Sequence, residues 1–187
     1  MKLNTPLKAN EIEFRVQSIN RGGFATILAY KDARVDMERL DSVYGVDGWQ
    51  RKHEFKNGVL YCSVGIYSEK LNQWVWKEDA GTESNSEAKK GEASDSFKRA
   101  CFNLGIGREL YDYPLISVKL EAGSGENPQY GEWYTKGGKP TSGWGLKLKE
   151  WVWYSEFNEN NKISFLAAKD QNGKVRYQWG KRHNANN

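Results

Sequence analysis

The sequence predicts an α+β protein: a β-hairpin, a helix, an antiparallel β meander, a long helix and a small β meander near the C-terminal end. Three observations predict it. Short runs rich in β-branched and aromatic residues recur, separated by Gly- or Asn-bearing reversals. Two stretches switch to helical spacing, and the second of them is long. The order is hairpin, helix, meander, long helix, small β unit, without the strand–helix alternation that builds a parallel sheet.

After Thr5-Pro6 a short helical start is expected. EFRVQSIN and FATILAY flank Arg21-Gly22-Gly23, which makes a hairpin. In DARVDMERLDSVYG, Val35, Leu40 and Val43 lie near helical spacing, with Asp32 as the N-cap and Gly45 as the stop. WQRKHEF, VLYCSVGIY and QWVWKEDA then form a meander, reversed at Asn57-Gly58 and at Lys70-Leu71-Asn72. From Glu83 the period is helical. Ala93, Phe97, Ala100, Cys101 and Leu104 share one face, Lys89, Glu92, Ser96, Arg99 and Asn103 the opposite one, and Lys98, Asp95 and Phe102 the flank. Gly105 and Gly107 end this helix. Residues 121–145 read as a Gly-rich loop, too long for a tight connection and a candidate for mobility. WVWYSEF, KISFLAAKD and KVRYQWG close the chain as a meander.

These elements make one domain over residues 1–180, with a core at 11–114, the loop at 121–145, the meander at 146–180 and a disordered tail at 181–187. Hydrophobic residues are 38% and charged residues 28% of the 187. No run approaches the roughly 20 apolar residues that span a bilayer, and the opening MKLNTPLKAN lacks the apolar stretch of a signal peptide. No membrane association is expected. Cys62 and Cys101, the only cysteines, read as buried thiols of a reducing cytoplasm. The net charge of +4 suits a polyanionic partner without requiring one. Eight Trp, ten Tyr and seven Phe fit either base stacking on single strands or a β-rich core and subunit interface.

Several chemistries find no support. No Gly-x-x-x-x-Gly-Lys-Ser/Thr run cradles a nucleotide phosphate, and Gly105-Ile106-Gly107 lacks the third glycine of a dinucleotide fingerprint. His53 and His183 alone make neither a triad nor a metal cluster. No catalytic residue, metal or other cofactor is expected. One enzymatic pattern stands as a minor alternative: Asp79, Glu87 and Lys89 as the carboxylates and lysine of a metal-dependent nuclease.

The stretch GTESNSEAKKGEASDSFKRACFNLGIGRELY resembles the signature helix of the Rad52 superfamily of single-strand annealing proteins, in its phage and prophage form. It carries Glu78, Asp79 and Gly81 at a strand end, then Asp95, Lys98, Arg99 and Ala100, then Gly105, Gly107, Arg108, Leu110 and Tyr111. Upstream, Gly45 and Trp49 match the turn that ends the preceding helix, so the resemblance runs from about Glu11 to Pro114. It implies a β-hairpin and a curved antiparallel β-sheet with a long helix packed across it, and a basic groove for ATP-independent binding of single-stranded DNA and annealing of complementary strands in recombination and repair. It further implies a homo-oligomeric ring of about ten or more protomers or a filament, in the cytoplasm of a bacterial host, with a phage exonuclease or single-strand-binding protein as a further partner. A passive single-stranded-DNA-binding protein is the runner-up.

Lys98 and Arg99 are the Lys-Arg pair of the motif, and the resemblance makes them DNA contacts. Their side chains diverge by about 100° on a helix. They serve neighbouring phosphates, or Arg99 holds a carboxylate such as Glu92 or Asp95. Arg21 at the hairpin tip matches another groove arginine. Relatives carry a further base where this chain has Phe102, which either stacks on a base or packs on a neighbour. Arg34, Arg51 and Lys52 are further DNA-binding candidates, among the cations (Arg15, Lys31 and Lys56 with them) around the hairpin and first meander strand. Trp74, Trp76, Trp151 and Trp153 read chiefly as core or interface, base stacking being the second reading.

Overall fold

The computed structural model of the chain describes residues 2–81 and 88–182, residues 88–90 by their backbone alone. It is α+β, with antiparallel sheets and two α-helices. The chain falls into two compact units, one of Met1–Glu11 and Lys31–Arg108, the other of Ile12–Tyr30 and Glu109–Asn187.

The first unit is built on a meander of β3 (Trp49–Lys56), β4 (Val59–Ser68) and β5 (Gln73–Ala80). Asn57 and Gly58 both adopt positive φ, 53° and 79°, the backbone that lets a two-residue turn follow the strand twist. Side chains alternate across a sheet. One face of the central strand therefore gives Leu60, Cys62 and Val64 to a core completed by Leu40 of α1 (Ala33–Tyr44) and by Phe97, Ala100 and Cys101 of α2 (Ala88–Asn103). Both cysteines are unbridged and buried, and burial pushes the Cys62 thiol up to about 11.

Helix α1 begins as its sequence expects. Asp32, in extended conformation, accepts from the Arg34 backbone N–H at 2.8 Å, and Gly45 stops the helix at φ 76°. Asp32→Ala is expected to cost about 1 kcal/mol by removing that cap, a loss that denaturant unfolding will read. Less local is a set of buried charges beneath the helix. Arg39 grips both carboxylate oxygens of Glu11, at 3.1 and 2.7 Å, and the carbonyls of Thr5 and Pro6, which ties down the N-terminal segment. Where a short helix was expected after Pro6, the chain makes only a 3-10 turn, Ala9–Glu11.

The second unit packs two sheets on one core. β1 (Glu13–Ile19), β2 (Phe24–Tyr30) and β6 (Ile116–Lys119) form one; β9 (Val152–Phe157), β10 (Ile163–Lys169) and β11 (Val175–Gly180) form the other. Ile27, Ile116, Val118, Trp151 and Leu166 fill the space between, and Phe14 stacks on Trp153 at 3.7 Å. The Gly-rich stretch 121–145 holds a hairpin of its own, β7 (Trp133–Lys136) and β8 (Lys139–Ser142), reversed at Gly137-Gly138 with φ 55° and 78°. Glycines there permit backbone contact: Gly143 and Gly145 lie against carbonyls, and Gly131 against the Gly123 backbone, where a side chain would collide. Arg176 is nearly buried between Glu132 (2.7 Å) and Asp170 (3.3 Å), and both carboxyls are held below their ordinary range against the opposing effect of burial. Of the tail, Arg182 pairs with Glu156 at 3.4 Å, and residues 183–187 lie outside those described.

Candidate nucleic-acid interface

The site residues named from the sequence divide between the two units. Lys98, Arg99, Phe102, Arg34, Arg51 and Lys52 belong to the first; Arg21 belongs to the second.

Helix α2 presents Lys98 and Arg99 in different settings, as a 100° step per residue requires. Arg99 lies along β5, where its Nε donates to Asp79 Oδ1 at 3.2 Å. Its carboxylate partner is thus on a strand, not Asp95 one turn away or Glu92 two turns away. Glu92 and Asn103 of that helix row are also engaged. Glu92 accepts from the Leu60 N–H at 3.2 Å, and the Asn103 amide donates to the Glu78 carbonyl at 3.0 Å and to Asp79 Oδ2 at 3.3 Å. The face opposite the apolar row is therefore a second packing face, seated on the sheet edge.

Lys98 is half-exposed and has no salt-bridge partner among the described residues. Its backbone carbonyl is held from below. The Lys31 ammonium reaches it at 3.4 Å, forms an ion pair with Asp36, and lies 4.3 Å from the centre of the Phe102 ring. Only 1% of Lys31 is exposed, so this cation supports the helix and cannot itself touch a strand. Burial pushes Asp36 up to about 6 and Lys31 downward, opposed in each case by the partner's charge. The second Asp36 oxygen has no hydrogen-bond partner among the described residues.

Arg34 is exposed near the same place. Its Nε donates to Asp32 at 2.9 Å, and these Arg34 bonds hold the Asp32 carboxyl below its usual range, with a smaller contribution from Lys98. Around α1 and α2, then, Asp36 and Asp32 each have a cation of their own, and Lys98 is left with its charge unbalanced. The helix end is closed by Arg108, which donates to the carbonyls of Phe102 and Asn103 at 3.0–3.1 Å. Arg108 therefore braces the helix, through the backbone and not through Asp112, whose partner is Lys162.

Arg51 and Lys52, adjacent on β3, point to opposite faces of the sheet. Arg51 lies 4.9 Å from the Phe97 ring on the helix side, and Lys52 lies 5.2 Å from the Trp76 ring on the other. In the second unit, Arg21 is exposed in the β1–β2 turn, which Asn20 Oδ1 shapes by accepting from Gly22 and Phe24 N–H at 2.9 and 3.0 Å. Lys119 of β6 donates to the Gly22 carbonyl and covers the Phe24 ring at 4.8 Å, so the tip holds two cations. Lys119 had no sequence signal, because strand pairing brings it there from 97 residues away.

Of the nuclease pattern, Glu87 and the Lys89 side chain lie outside the described residues, and Asp79 is engaged by Arg99 and Asn103.

A model of the Rad52/22 family of double-strand break repair proteins matches residues 1–128. The chain belongs to that family. The Rad52/22 match takes in both helices, the meander β3–β5 and the hairpin β1–β2, and ends before β7. Two relatives, the single-stranded DNA-binding proteins DdrA of Deinococcus radiodurans and of Deinococcus deserti, are each 34% identical over 116 residues. That is 60% of this chain and 54% and 56% of theirs, so the Rad52/22-family chain spans about half the length of these relatives.

Proposed function

We propose that the protein binds single-stranded DNA along α2 and, as an oligomer, brings complementary strands together to pair without nucleotide hydrolysis. The observation that carries this reading is the Lys98 ammonium, without an ion pair among the described residues, on a helix where Glu92 and Arg99 are engaged, in a member of the Rad52/22 family. A structural charge normally finds a partner or full solvation. A half-exposed lysine beside paired carboxylates is instead suited to a phosphate. Arg99, tethered by one bond to Asp79, stands next to it and can exchange that carboxylate for the neighbouring phosphate. Arg34 extends the cationic surface beyond Asp32, and Arg21 with Lys119 supplies a further point on the hairpin.

Contacts of this kind read the backbone and leave base edges free, which strand pairing requires. No covalent bond changes. Duplex formation supplies the free energy, and the protein lowers the repulsion and raises the local concentration of the two strands. A ring or filament would sum modest contacts from many protomers into tight binding.

Passive coating is the second reading, because DdrA is named for single-strand binding alone. Two complementary labelled oligonucleotides, mixed without nucleotide while light scattering records particle mass, separate the two. Pairing faster than in protein-free solution, by a large particle, is the expected result. Tight binding that slows pairing would establish the passive coat.

A further inference from the structure

Of the β1–β2 turn, Asn20, Arg21 and Gly22 are exposed and Gly23 is buried. What covers Gly23 comes from beyond residue 128, where the Rad52/22 match ends. Gly23 adopts φ 74°, and a Cβ there would sit 2.5 Å from Nε1 of Trp133 and within 2.9 Å of two further indole atoms. The edge of this ring, at the start of β7, therefore rests on the turn backbone with no side chain between them. Its Nε1 makes no hydrogen bond among the described residues, so fit against the turn, not polarity, holds the ring there.

The backbone around Trp133 is tied to the same turn. Glu132 and Trp133 N–H donate to the Glu121 carbonyl at 3.0 and 3.2 Å, and Gly123 N–H donates to the Trp133 carbonyl at 2.8 Å. Next to Glu121, Leu120 N–H donates to the Gly23 carbonyl at 2.9 Å. Arg176 adds a further tie, donating to both Glu132 oxygens at 2.7 and 2.8 Å and to the Lys119 carbonyl at 3.1 Å. The Lys119 side chain in turn donates to the Gly22 carbonyl. Glu121 and Glu132, the carboxylates beside these ties, pair with Lys174 and Arg176, and neither Arg21 nor Lys119 has an ion pair among the described residues.

We infer that Trp133 is a positioning residue for strand binding: by seating the β1–β2 turn it presents Arg21 and Lys119 as one preformed cationic contact. The turn carries two adjacent glycines, Gly22 and Gly23, whose backbone freedom would otherwise be given up each time a strand is held. An indole already seated on Gly23 removes that cost before the strand arrives. Trp133 thereby gives the segment beyond the family match a share in the contact without touching DNA itself. This rests on the reading that the hairpin tip touches single strands.

The test measures binding of a fluorescent oligothymidylate to the full chain by anisotropy across a salt series, with melting temperature as the check on folding. Wild type is compared with Arg21→Ala, Trp133→Ala, Trp133→Phe and the double variant Arg21→Ala/Trp133→Ala. Arg21→Ala should weaken binding roughly tenfold and make the salt dependence shallower by about 0.7 per protomer. Trp133→Ala should do the same in a folded protein, with most of the affinity kept in Trp133→Phe. In the double variant the two losses should not multiply, because both act on one contact. Should Trp133→Ala not fold, Gly23→Ala, which pushes the turn off an intact indole, carries the same expectations. Wild-type affinity and salt slope in a folded Trp133→Ala, or losses that multiply in the double variant, would overturn the positioning role while Arg21 stands as a contact. Binding that neither substitution alters would overturn the tip contact together with this role and leave α2 as the interface. A wild type that binds no oligonucleotide would overturn the proposed function as well.

Discussion

Lys98→Glu is expected to cause the largest functional loss of any single substitution while leaving the fold intact. Lys98 makes no ion pair among the described residues, so its replacement should shift stability by no more than about 0.5 kcal/mol. A charge-assisted contact is worth about 1.5–3 kcal/mol, so even Lys98→Ala should weaken each protomer's hold by roughly tenfold or more. A strand crossing several protomers multiplies that loss, and reversal to Glu adds repulsion. The salt dependence of binding should also become shallower, by about 0.7 per protomer for a lost single-strand phosphate contact. Fluorescence anisotropy across a salt series reads both effects. Unchanged affinity and slope in a folded Lys98→Glu protein would remove α2 from the interface.

Arg99 calls for a paired measurement, because it is bonded to Asp79. If Arg99 turns to a phosphate when DNA binds, Asp79→Ala frees it, and affinity should hold or rise while Arg99→Ala weakens binding. If Arg99 serves only the sheet edge, both substitutions should lower stability alike and leave the affinity of the folded fraction unchanged.

Lys31→Met alone is expected to destabilise the protein by about 3–5 kcal/mol, because it strands the Asp36 carboxylate in the core. The double variant Lys31→Met/Asp36→Leu should recover most of that loss, since an apolar pair of similar volume carries no desolvation penalty. The pH dependence has a defined sign. In the wild type, burial raises the Asp36 carboxyl to about 6, above its unfolded value. Its stabilising contribution is therefore full below about pH 4 and declines as pH rises through about 6. Without Lys31 the carboxyl is raised further, so the deficit of the single variant should be small at pH 4 and grow toward neutrality. Urea unfolding at pH 4, 6 and 8 will show this divergence, and parallel stability profiles for the two proteins would refute it. Because Lys31 also bonds the Lys98 carbonyl and faces Phe102, the double variant is expected to bind DNA less tightly even where its stability is restored.

Local rules made much of this chain legible from residues alone. The Asp32 cap, the Gly45 stop, the Asn57-Gly58 turn and the Phe97–Ala100–Cys101 row depend on neighbours within a few positions, and each is where those rules place it. The family signature in α2 was legible for the same reason, being one continuous segment that matches as sequence. The fate of individual charges was not. Arg99 pairs with Asp79, 20 residues away, instead of with a carboxylate on its own helix, because α2 settles against β5. Alternation alone separates Arg51 from Lys52, but only packing decides which of them faces α2 and which lies by Trp76. Lys31 looked like any surface cation in a basic stretch; the closure of α1 and α2 over it, with Asp36 supplied one turn into α1, made it a buried support. The Gly-rich stretch 121–145 read as a loop because glycine signals freedom locally, whereas backbone-to-backbone contact there turns the same residues into the condition for a hairpin. Sequence determined the elements and their order, because those depend on local propensity and period. Which charges remained available for a partner was decided by tertiary structure, because register and packing bring together residues that sequence keeps far apart.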